Sequence, residues 1–318
     1  MSLNSNDAHS LERVRNRWDD WQRSQLANQN VYTDWGDHPT VFRSVMRHAL
    51  GSETENFFTF LKKNNPACAN SHALSLCCGD GAFEQQLLEQ AVFSRITGLE
   101  LSPERIAQGR ERQTQRSVGG ALDFLQKDVN EGDFGEHLFG VIFAKAALHH
   151  IQNLEVAFNG MIRSLKPGGL LVTIDFFGPS RFQWTDAQLQ ACNDFWNEHV
   201  PPDLKLEPDG TLTQPIKRPL LKDMIEMDPS EAARSGELHA MIYKHFDVVE
   251  DRALGGALIN LLLYGQRVNR FDVSNAVHNA VLEQAISRER ELMAQGIIGS
   301  DFRFIVARVK PWWRRIRF

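Results

Sequence analysis

Small, acidic and histidine residues follow several short apolar runs of this chain, at spacings that could support ligand binding and proton transfer. The first group is the run 77–81, Cys-Cys-Gly-Asp-Gly, which follows an apolar segment and precedes apolar residues at helical spacing. Glycines at such a turn let backbone amides approach a ligand, and the start of the next helix presents amides without intrahelical partners. The pattern predicts a strand, turn, helix and strand unit.

Glu100 ends the second predicted strand, nineteen residues after Gly81. A carboxylate at that edge can accept hydrogen bonds from both hydroxyls of a ribose. The dinucleotide pattern G-x-G-x-x-G fails here, because Glu84 stands where its third glycine belongs and a carboxylate at a helix start repels a pyrophosphate. We therefore expect a cofactor that carries a ribose but no phosphate at this turn.

The composition of the chain excludes several classes of protein. Its 318 residues are 42% apolar, enough to bury a full core, and no apolar run is long enough to span a bilayer. A net charge of -5 argues against a nucleic-acid partner, because neutralising phosphates requires a basic face. Four cysteines, two of them adjacent, give no disulfide framework. We expect a cytoplasmic protein without stable membrane insertion.

Strand and helix patterns alternate through most of the chain. Continuous apolar runs, such as 138–144, are typical of parallel strands that are buried on both faces. Such alternation favours an α/β fold with a mainly parallel sheet. After the first two strands, the remaining strands are predicted at 121–126, 138–144, 170–176, 246–250 and 302–309. Helices are predicted at 10–27, 40–50, 53–63, 186–199, 254–264 and 276–295, with others beginning at Ser102, Leu154 and Asp228.

Five segments together resemble the class I S-adenosylmethionine-dependent methyltransferases, of the bacterial small-molecule or sugar-modifying type. They occur in the order typical of that family: Cys77-x-Gly79-x-Gly81, Glu100, Asp128-Val129, Phe143 to Ile151 and Leu165 to Leu171. The resemblance implies a Rossmann-like seven-stranded sheet, mainly parallel, with helices on both faces. It also implies an N-terminal helical lid, a C-terminal helical insertion and S-adenosyl-L-methionine as the cofactor.

The resemblance also divides the chain. Residues 1–70 would form the N-terminal helical lid, and residues 71–200 the cofactor-binding core. Residues 201–300 would hold an insertion with acceptor-pocket helices and the sixth strand. Residues 301–318 would supply the last strand and a tail rich in basic and aromatic residues.

The resemblance places the cofactor at the carboxyl ends of the strands. Asp128 would accept a hydrogen bond from the adenine amino group, and the amide of Val129 would meet a ring nitrogen. Two positions depart from the family pattern, since Cys77 replaces the usual first glycine and Ser75 the usual acid. We expect Asp80 to pair with the cofactor's ammonium group instead. The implied cofactor-binding residues are Cys77, Gly79, Asp80, Gly81, Glu100, Leu101, Asp128, Val129 and Ala144.

Three residues are candidates for catalysis. His149 and His150 follow the fourth predicted strand, and Asp175 lies near the end of the fifth. A histidine there could take a proton from an acceptor as the methyl arrives, or could only cap the turn. Asp175 is a second base candidate or a positioning acceptor. We expect no metal site, because adjacent ring nitrogens seldom point to one ion and no second ligand cluster is visible.

Aromatic residues ahead of the first strand are candidates for substrate binding. Tyr32 and Trp35, together with His149, could contact a substrate, although the two rings could equally serve as hydrophobic clasps. The apolar stripe of the first predicted helix, which includes Val14 and Trp18, could pack on its own domain, form a lid or form the seam of a homodimer.

The resemblance implies methyl transfer to an oxygen, nitrogen or carbon nucleophile of a small molecule. A sugar or a precursor of a secondary metabolite is the acceptor that the segments 146–184 and 228–232 favour. Two alternatives remain open. A nicotinamide-dependent oxidoreductase would use the same strand order, and a non-catalytic scaffold would bind the cofactor beside a closed acceptor side.

Overall fold

A seven-stranded sheet forms the centre of the molecule in a computed structural model, which describes residues 12–19, 32–52, 55–115, 121–207 and 209–310. The strand order is β3-β2-β1-β4-β5-β7-β6. The strands are β1 (His72–Leu76), β2 (Arg95–Glu100), β3 (Ala121–Gln126), β4 (Phe139–Lys145), β5 (Leu165–Phe176), β6 (Phe246–Gly255) and β7 (Phe302–Val309).

The pairing of the strands fixes where a ligand can bind. The pairs β1–β2, β2–β3, β1–β4 and β4–β5 are parallel, whereas β7 runs antiparallel to both β5 and β6. The order reverses at β1 and β4, so the loops after these strands diverge and leave a crevice at their carboxyl ends. This arrangement confirms the predicted fold class, a Rossmann-like and mainly parallel α/β sheet.

Helices cover both faces of this sheet. Helical residues 12–19 (α1) come first in the described part of the chain. The other helices are α2 (Pro39–Leu50), α3 (Phe57–Asn64), α4 (Ala82–Glu89), α5 (Pro103–Gln115), α6 (Leu154–Ser164), α7 (Asp186–His199), α8 (Leu221–Met227), α9 (Leu238–His245), α10 (Ile259–Leu262) and α11 (Ala276–Ala294). The rest of the first predicted helix and the basic-aromatic tail lie outside the described residues.

Two apolar layers hold the helices on the sheet. Phe143 and Val172 belong to the layer that includes residues of α2, α3, α7 and α11, whereas Ile142 and Leu171 belong to the layer that includes residues of α6 and α9. Neighbouring strand residues therefore serve opposite layers, as the alternation of side chains along a strand requires. Burial on both faces sets the register of the central strands, and with it the positions of the loops that follow them.

Several predicted boundaries differ from the structure, among them that of β6, which was predicted over 246–250 and runs to Gly255. β5 begins at Leu165, and its pairing with β4 skips from Leu165 to Leu170, so the glycine-containing turn bulges out of an existing strand. The helix predicted over 254–264 shrinks to α10. No helix begins at Asp228, because its carboxylate accepts hydrogen bonds from the amide and hydroxyl of Ser230 and so forms a turn.

Candidate active site

A cleft of about 300 Å³ opens where the sheet order reverses, within the size range of small-molecule sites. Six of the predicted site residues line it: Cys77, Glu100, Leu101, Asp128, Val129 and His150. Ala146 also lines it, whereas sequence reasoning did not assign the others to the site, among them Val14, Trp18, Arg105, Asn130, Gln152 and Ser230. The cleft therefore joins the ends of β1, β2 and β4 to α1 and to the turn around Ser230.

Glu100 is the buried acid at the floor of the cleft. Its Oε2 accepts a hydrogen bond from the Gly79 amide at 2.8 Å, and its Oε1 accepts from the amides of Leu101 and Ser102, each also at 2.8 Å. The guanidinium of Arg105 lies 3.9 Å from Oε2. The carboxylate thus holds the turn after β1 against the turn after β2. Charge-assisted bonds of this kind stay strong inside a protein.

The two glycines of the turn serve the protein itself. Gly79 and Gly81 have φ of +62° and +67°, and a Cβ on them would lie 2.6 Å from Nη2 of Arg105 and 2.5 Å from Cζ of Phe124, respectively. The amide of Gly79 is already bound to Glu100. Gly81 is therefore required by packing against β3, and neither glycine is among the residues that line the cleft.

Asp128 caps the short 3-10 turn after β3, as well as lining the cleft. Its Oδ1 accepts hydrogen bonds from the amide and the side-chain nitrogen of Asn130, at 2.9 and 2.8 Å. This leaves Oδ2 as the oxygen with which it could bind a ligand. The neighbouring Val129 is buried and supplies an apolar wall. The pair fits a flat ring that carries an amino group.

Two cofactor assignments require correction. The carboxylate of Asp80 binds Arg112 at 2.7 Å and the amide of Ala82 at 3.1 Å, and Asp80 does not line the cleft. The cation of α5 holds it away from the position expected for an ammonium partner. Ala144 is fully buried within β4, and the alanine that lines the cleft is Ala146. The strand extends one residue further than predicted before it turns at Ala146, which has φ of 48°.

Asp175 is a positioning residue in this structure. It is almost fully buried, and its carboxylate accepts hydrogen bonds from the amides of Ala147, Leu148 and Phe176 at 2.9, 2.7 and 2.9 Å. Nδ1 of His149 lies 2.6 Å from its Oδ1. With its oxygens enclosed and engaged in this way, Asp175 has no route to an acceptor. The base role considered for it is therefore corrected to an orienting role.

His149 lies between two carboxylates. Its Nε2 is 3.5 Å from Oε1 of Glu231, on the side opposite Asp175. Burial lowers the pKa of His149, but the attraction and hydrogen bond of Asp175, with Glu231 adding to them, raise it to about 9. The imidazole is therefore protonated at neutral pH in the ligand-free protein. Burial raises the pKa of Glu231, although the charge of His149 opposes that rise.

His150 occupies the other side of the same turn. Its Nδ1 lies 3.2 Å from the hydroxyl oxygen of Ser230, and its ring meets the edge of Trp18 at a centroid distance of 5.1 Å. Burial lowers its pKa well below the usual value, and the charges of His149 and Arg105 lower it further. His150 is therefore neutral and lies beside a cationic neighbour.

The two aromatic residues predicted to bind substrate lie elsewhere. Trp35 is 6% exposed and packs on the ring of Phe302 at 5.0 Å between centroids. Tyr32 packs on His38, and its backbone exchanges hydrogen bonds with the side chain of Asn269. Neither lines the cleft. The prediction that these two residues bind substrate is therefore corrected. Trp35 instead packs within the apolar core, as the hydrophobic-clasp alternative predicted.

The segment that supplies Glu231 is held by main-chain contacts. The guanidinium of Arg181 donates hydrogen bonds to the carbonyl oxygens of Asp228, Pro229 and Glu231, at 3.3, 2.6 and 3.0 Å. From the sequence, the run 228–232 was interpreted as a helix start and as a resemblance to other enzymes. Its two acids, among small residues, are the signal that could have drawn attention to Glu231.

Tyr264 and Asp34 add polar groups to the surroundings. The pKa of Tyr264 is raised by burial and then by the charge of Glu231, so the two lie close enough to interact. Part of Asp34 is exposed to solvent, while protein atoms surround the rest of it. Burial and the charge of Asp37 raise its pKa to about 6, while Lys145, the last residue of β4, opposes that rise.

Comparisons with known proteins agree with this geometry. Residues 74–173 match a family model described as a methyltransferase domain. An uncharacterized methyltransferase of Synechocystis is 27% identical over 158 residues, which cover 48% of this chain and 70% of that protein. A demethylmenaquinone methyltransferase of Leptospira interrogans is 25% identical over 145 residues, which cover 45% of this chain and about half (54%) of that protein.

A solved structure also shares the fold. A phosphoethanolamine N-methyltransferase of Haemonchus contortus, in complex with phosphomonomethylethanolamine and S-adenosylhomocysteine, is 17% identical and has a TM-score of 0.50. The match covers 94% of this chain and 60% of that chain. Residues 74–173 of this chain therefore contain a methyltransferase domain, and the fold and the strand order agree with those of the class I S-adenosylmethionine-dependent methyltransferases. S-adenosylmethionine is the cofactor of that class.

Within the ranges that the structure describes, no helix has the length and apolar character needed to cross a bilayer.

Proposed function

We propose that this chain transfers a methyl group to a hydroxylated small molecule held beside His149 and Glu231. The observation that carries this proposal is the adjacency of two sites. A cleft with two acids at the ends of β2 and β3 opens directly onto His150 and Ser230, which border the buried His149–Glu231 pair.

The residues of the cleft suit the cofactor of the family. Glu100 would bind the ribose hydroxyls, and Oδ2 of Asp128 would accept from the adenine amino group. Arg105 supplies a cation in the same cleft, which would pair with the carboxylate of the methionine end. Trp18, with the guanidinium of Arg105 5.1 Å from its ring centroid, would exclude water from that end. These assignments are proposals that rest on the positions of the side chains.

Bound S-adenosylmethionine supplies an activated methyl group, so the task of the chain is alignment and handling of the acceptor's proton. Proximity and orientation account for several kcal/mol or more of such a barrier. In the ligand-free site His149 is protonated at neutral pH, so it cannot be the first proton acceptor. The carboxylate of Glu231 is the group that would accept a proton, while His149 would orient the acceptor oxygen.

The polar groups around Glu231 favour an acceptor with hydroxyl groups. The Tyr264 hydroxyl and the Glu231 carboxylate offer hydrogen bonds to such a molecule. The Tyr264 ring is 39% exposed and stands nearly perpendicular to the stacked rings of Phe182 and the buried Trp184. A sugar combines hydroxyls with an apolar face that packs on aromatic rings, so it fits this combination. Quinone-type acceptors, named for some relatives, would use fewer of these polar groups.

Two measurements test the proposal. Calorimetric titration with S-adenosylmethionine should give one bound cofactor per chain. Incubation of the protein with methyl-labelled cofactor and a bacterial metabolite extract should label a polar, hydroxylated product. Cofactor binding without any labelled product would support a non-catalytic scaffold, and a labelled quinone would contradict the proposed acceptor. The Glu231→Gln variant should bind the cofactor normally but transfer methyl at least about tenfold more slowly.

A further inference from the structure

We propose that His149, His150 and Glu231 form a binding site for one divalent transition-metal ion beside the cofactor cleft. One potential ligand atom from each residue lies within 4.8 Å of the other two. Metal bonds of about 2.0 to 2.2 Å to nitrogen and carboxylate oxygen place neighbouring ligand atoms about 3 Å apart. The 3.5 Å between Nε2 of His149 and Oε1 of Glu231 is close to that spacing. Small side-chain movements, together with release of the proton that Nε2 of His149 carries in the metal-free protein, would complete the site.

Both imidazoles are already oriented by a second hydrogen-bonding partner. Asp175 holds Nδ1 of His149 at 2.6 Å, which leaves Nε2 facing Glu231. Ser230 lies 3.2 Å from Nδ1 of His150, and its hydroxyl donates to Asp228 at 2.6 Å. Histidines that bind metals typically have their other ring nitrogen fixed by a carboxylate, carbonyl or similar group. The arrangement here has that feature at both histidines.

The turn after β4 explains how adjacent histidines can share an ion. Leu148–His150 form a single 3-10 turn, and Asp175 binds the amides of Ala147 and Leu148 at its start. The two imidazole centroids are 4.0 Å apart, with an angle of 42° between the rings. Neighbouring imidazoles usually diverge, which is why the sequence predicts no metal site here. In this turn they converge, and Glu231 provides the third ligand from a distant segment.

The ligand set suggests which ion binds and what it does. Two imidazoles and one carboxylate are the protein ligands of catalytic zinc sites and of non-haem iron sites, and they leave coordination positions open. Of the residues in this arrangement, His150 and Ser230 line the cofactor cleft. An open position would therefore face the space between the cofactor and the acceptor.

The role of the ion rests on the proposed methyl transfer, whereas the binding of the ion does not. A divalent ion lowers the pKa of a hydroxyl that it binds. The acceptor's O–H proton would leave to water, and an oxygen lone pair would form the new bond to the methyl carbon. The electron pair of the breaking carbon–sulfur bond would remain on sulfur, giving a neutral thioether. With the ion bound, Glu231 would be a ligand rather than a base.

The test uses the full-length protein, freed of metal by a chelator and titrated without cofactor or acceptor. Separate titrations with Zn²⁺, Co²⁺ and Mn²⁺ should each approach one ion per chain. Bound Co²⁺ should show visible absorption without the intense near-ultraviolet band of a cobalt–thiolate bond. His150→Ala and Glu231→Gln should each weaken binding at least about tenfold, and Ser230→Ala about tenfold through loss of orientation.

His239→Ala is the matched control, because its imidazole binds Asp251 at 2.9 Å beside β6 and takes no part in the cluster. It should leave metal affinity unchanged. Absence of stoichiometric binding, or binding that His150→Ala and Glu231→Gln leave intact, would overturn the proposal. Thermal unfolding shows whether each variant is folded, because His150 and Ser230 line the cofactor cleft and their substitution can weaken cofactor binding in a folded protein. Titration of the unmodified protein with S-adenosylmethionine separates the two proposals, because metal can bind when cofactor does not, and the reverse.

Discussion

Nδ1 of His149 lies 2.6 Å from Oδ1 of Asp175, and the other oxygen of that carboxylate accepts hydrogen bonds from two successive amides of the turn after β4. One buried side chain at the end of β5 thus sets both the backbone path of the turn and the orientation of its first imidazole. This relationship couples the sheet to the acceptor side of the site.

The carboxylate of Asp175 should therefore matter for stability. Asp175→Asn leaves one acceptor oxygen and points an NH2 group at the N–H donors that the carboxylate now accepts from. It also removes the negative charge that pairs with the buried His149. We expect the free energy of unfolding to fall by about 3 kcal/mol. Asp133→Asn, which removes a surface partner of Lys127, should change it by less than about 1 kcal/mol. Denaturant unfolding of both variants measures these changes, and equal losses would contradict the role given to Asp175.

Glu100 should be needed for cofactor affinity. Glu100→Ala removes the carboxylate at the floor of the cleft, so S-adenosylmethionine should bind one to two orders of magnitude more weakly, roughly the loss of a charge-assisted pair of hydrogen bonds. Calorimetry measures this loss. Glu104→Ala, in the first turn of α5 and exposed, serves as the control and should bind normally. Unchanged affinity in Glu100→Ala would contradict the proposed ribose site.

Gly81 tests whether packing requires a glycine in the turn. Gly81→Ala places a methyl group 2.5 Å from Phe124 at a φ of +67°, so it suffers both a steric clash and an unfavourable backbone conformation. Gly168→Ala has a similar φ, +76°, but meets open space. We expect Gly168→Ala to cost about 1 kcal/mol and Gly81→Ala about 1 to 3 kcal/mol more. Similar losses in the two variants would show that packing against β3 is unimportant.

Glu84 should make stability depend on pH. Burial raises its pKa to about 7, although the Ser75 hydroxyl, at 2.7 Å from Oε1, opposes that rise. Between about pH 4.5 and 7 the folded state then holds a proton that the unfolded state has lost. The contribution of Glu84 to the free energy of unfolding therefore falls as pH rises through that window, by up to about 1.4 kcal/mol per pH unit.

The Glu84→Gln variant isolates that contribution from those of other groups. The stability of the variant relative to the unmodified protein should increase by about 1 to 3 kcal/mol between pH 5 and pH 8. Thermal or denaturant unfolding at both pH values measures the difference. A relative stability that stays constant, or that falls with rising pH, would show that the pKa of Glu84 is not raised.

Local patterns predicted much of the fold. The bounds of β3, β7 and α7 are those expected from the sequence, because each segment has a clear apolar pattern and sharp ends. The start of α7 is an example: Thr185 and Gln188 exchange hydrogen bonds in a capping box that can be recognised from four residues. Such patterns involve residues that are close together in the chain, so they can be recognised from the sequence alone.

The site was less predictable, because its contacts join distant segments. Asp80 was expected to face the cofactor, but Arg112, a whole strand and helix away, binds it. Glu231 reaches His149 only because Arg181 and the turn at Asp228 direct its segment there. Nothing in the local sequence specifies such contacts between distant residues. Residues at strand ends could be located from pattern, whereas those that approach from the insertion could not.

The contacts of Arg181 have a consequence for the diversity of such enzymes. Arg181 holds the segment around Glu231 through carbonyl oxygens, which every amino acid possesses. The path of that segment therefore tolerates changes in its side chains. Related enzymes could acquire new acceptors through substitutions in the segment around Glu231, while the residues proposed to bind the nucleoside remain unchanged.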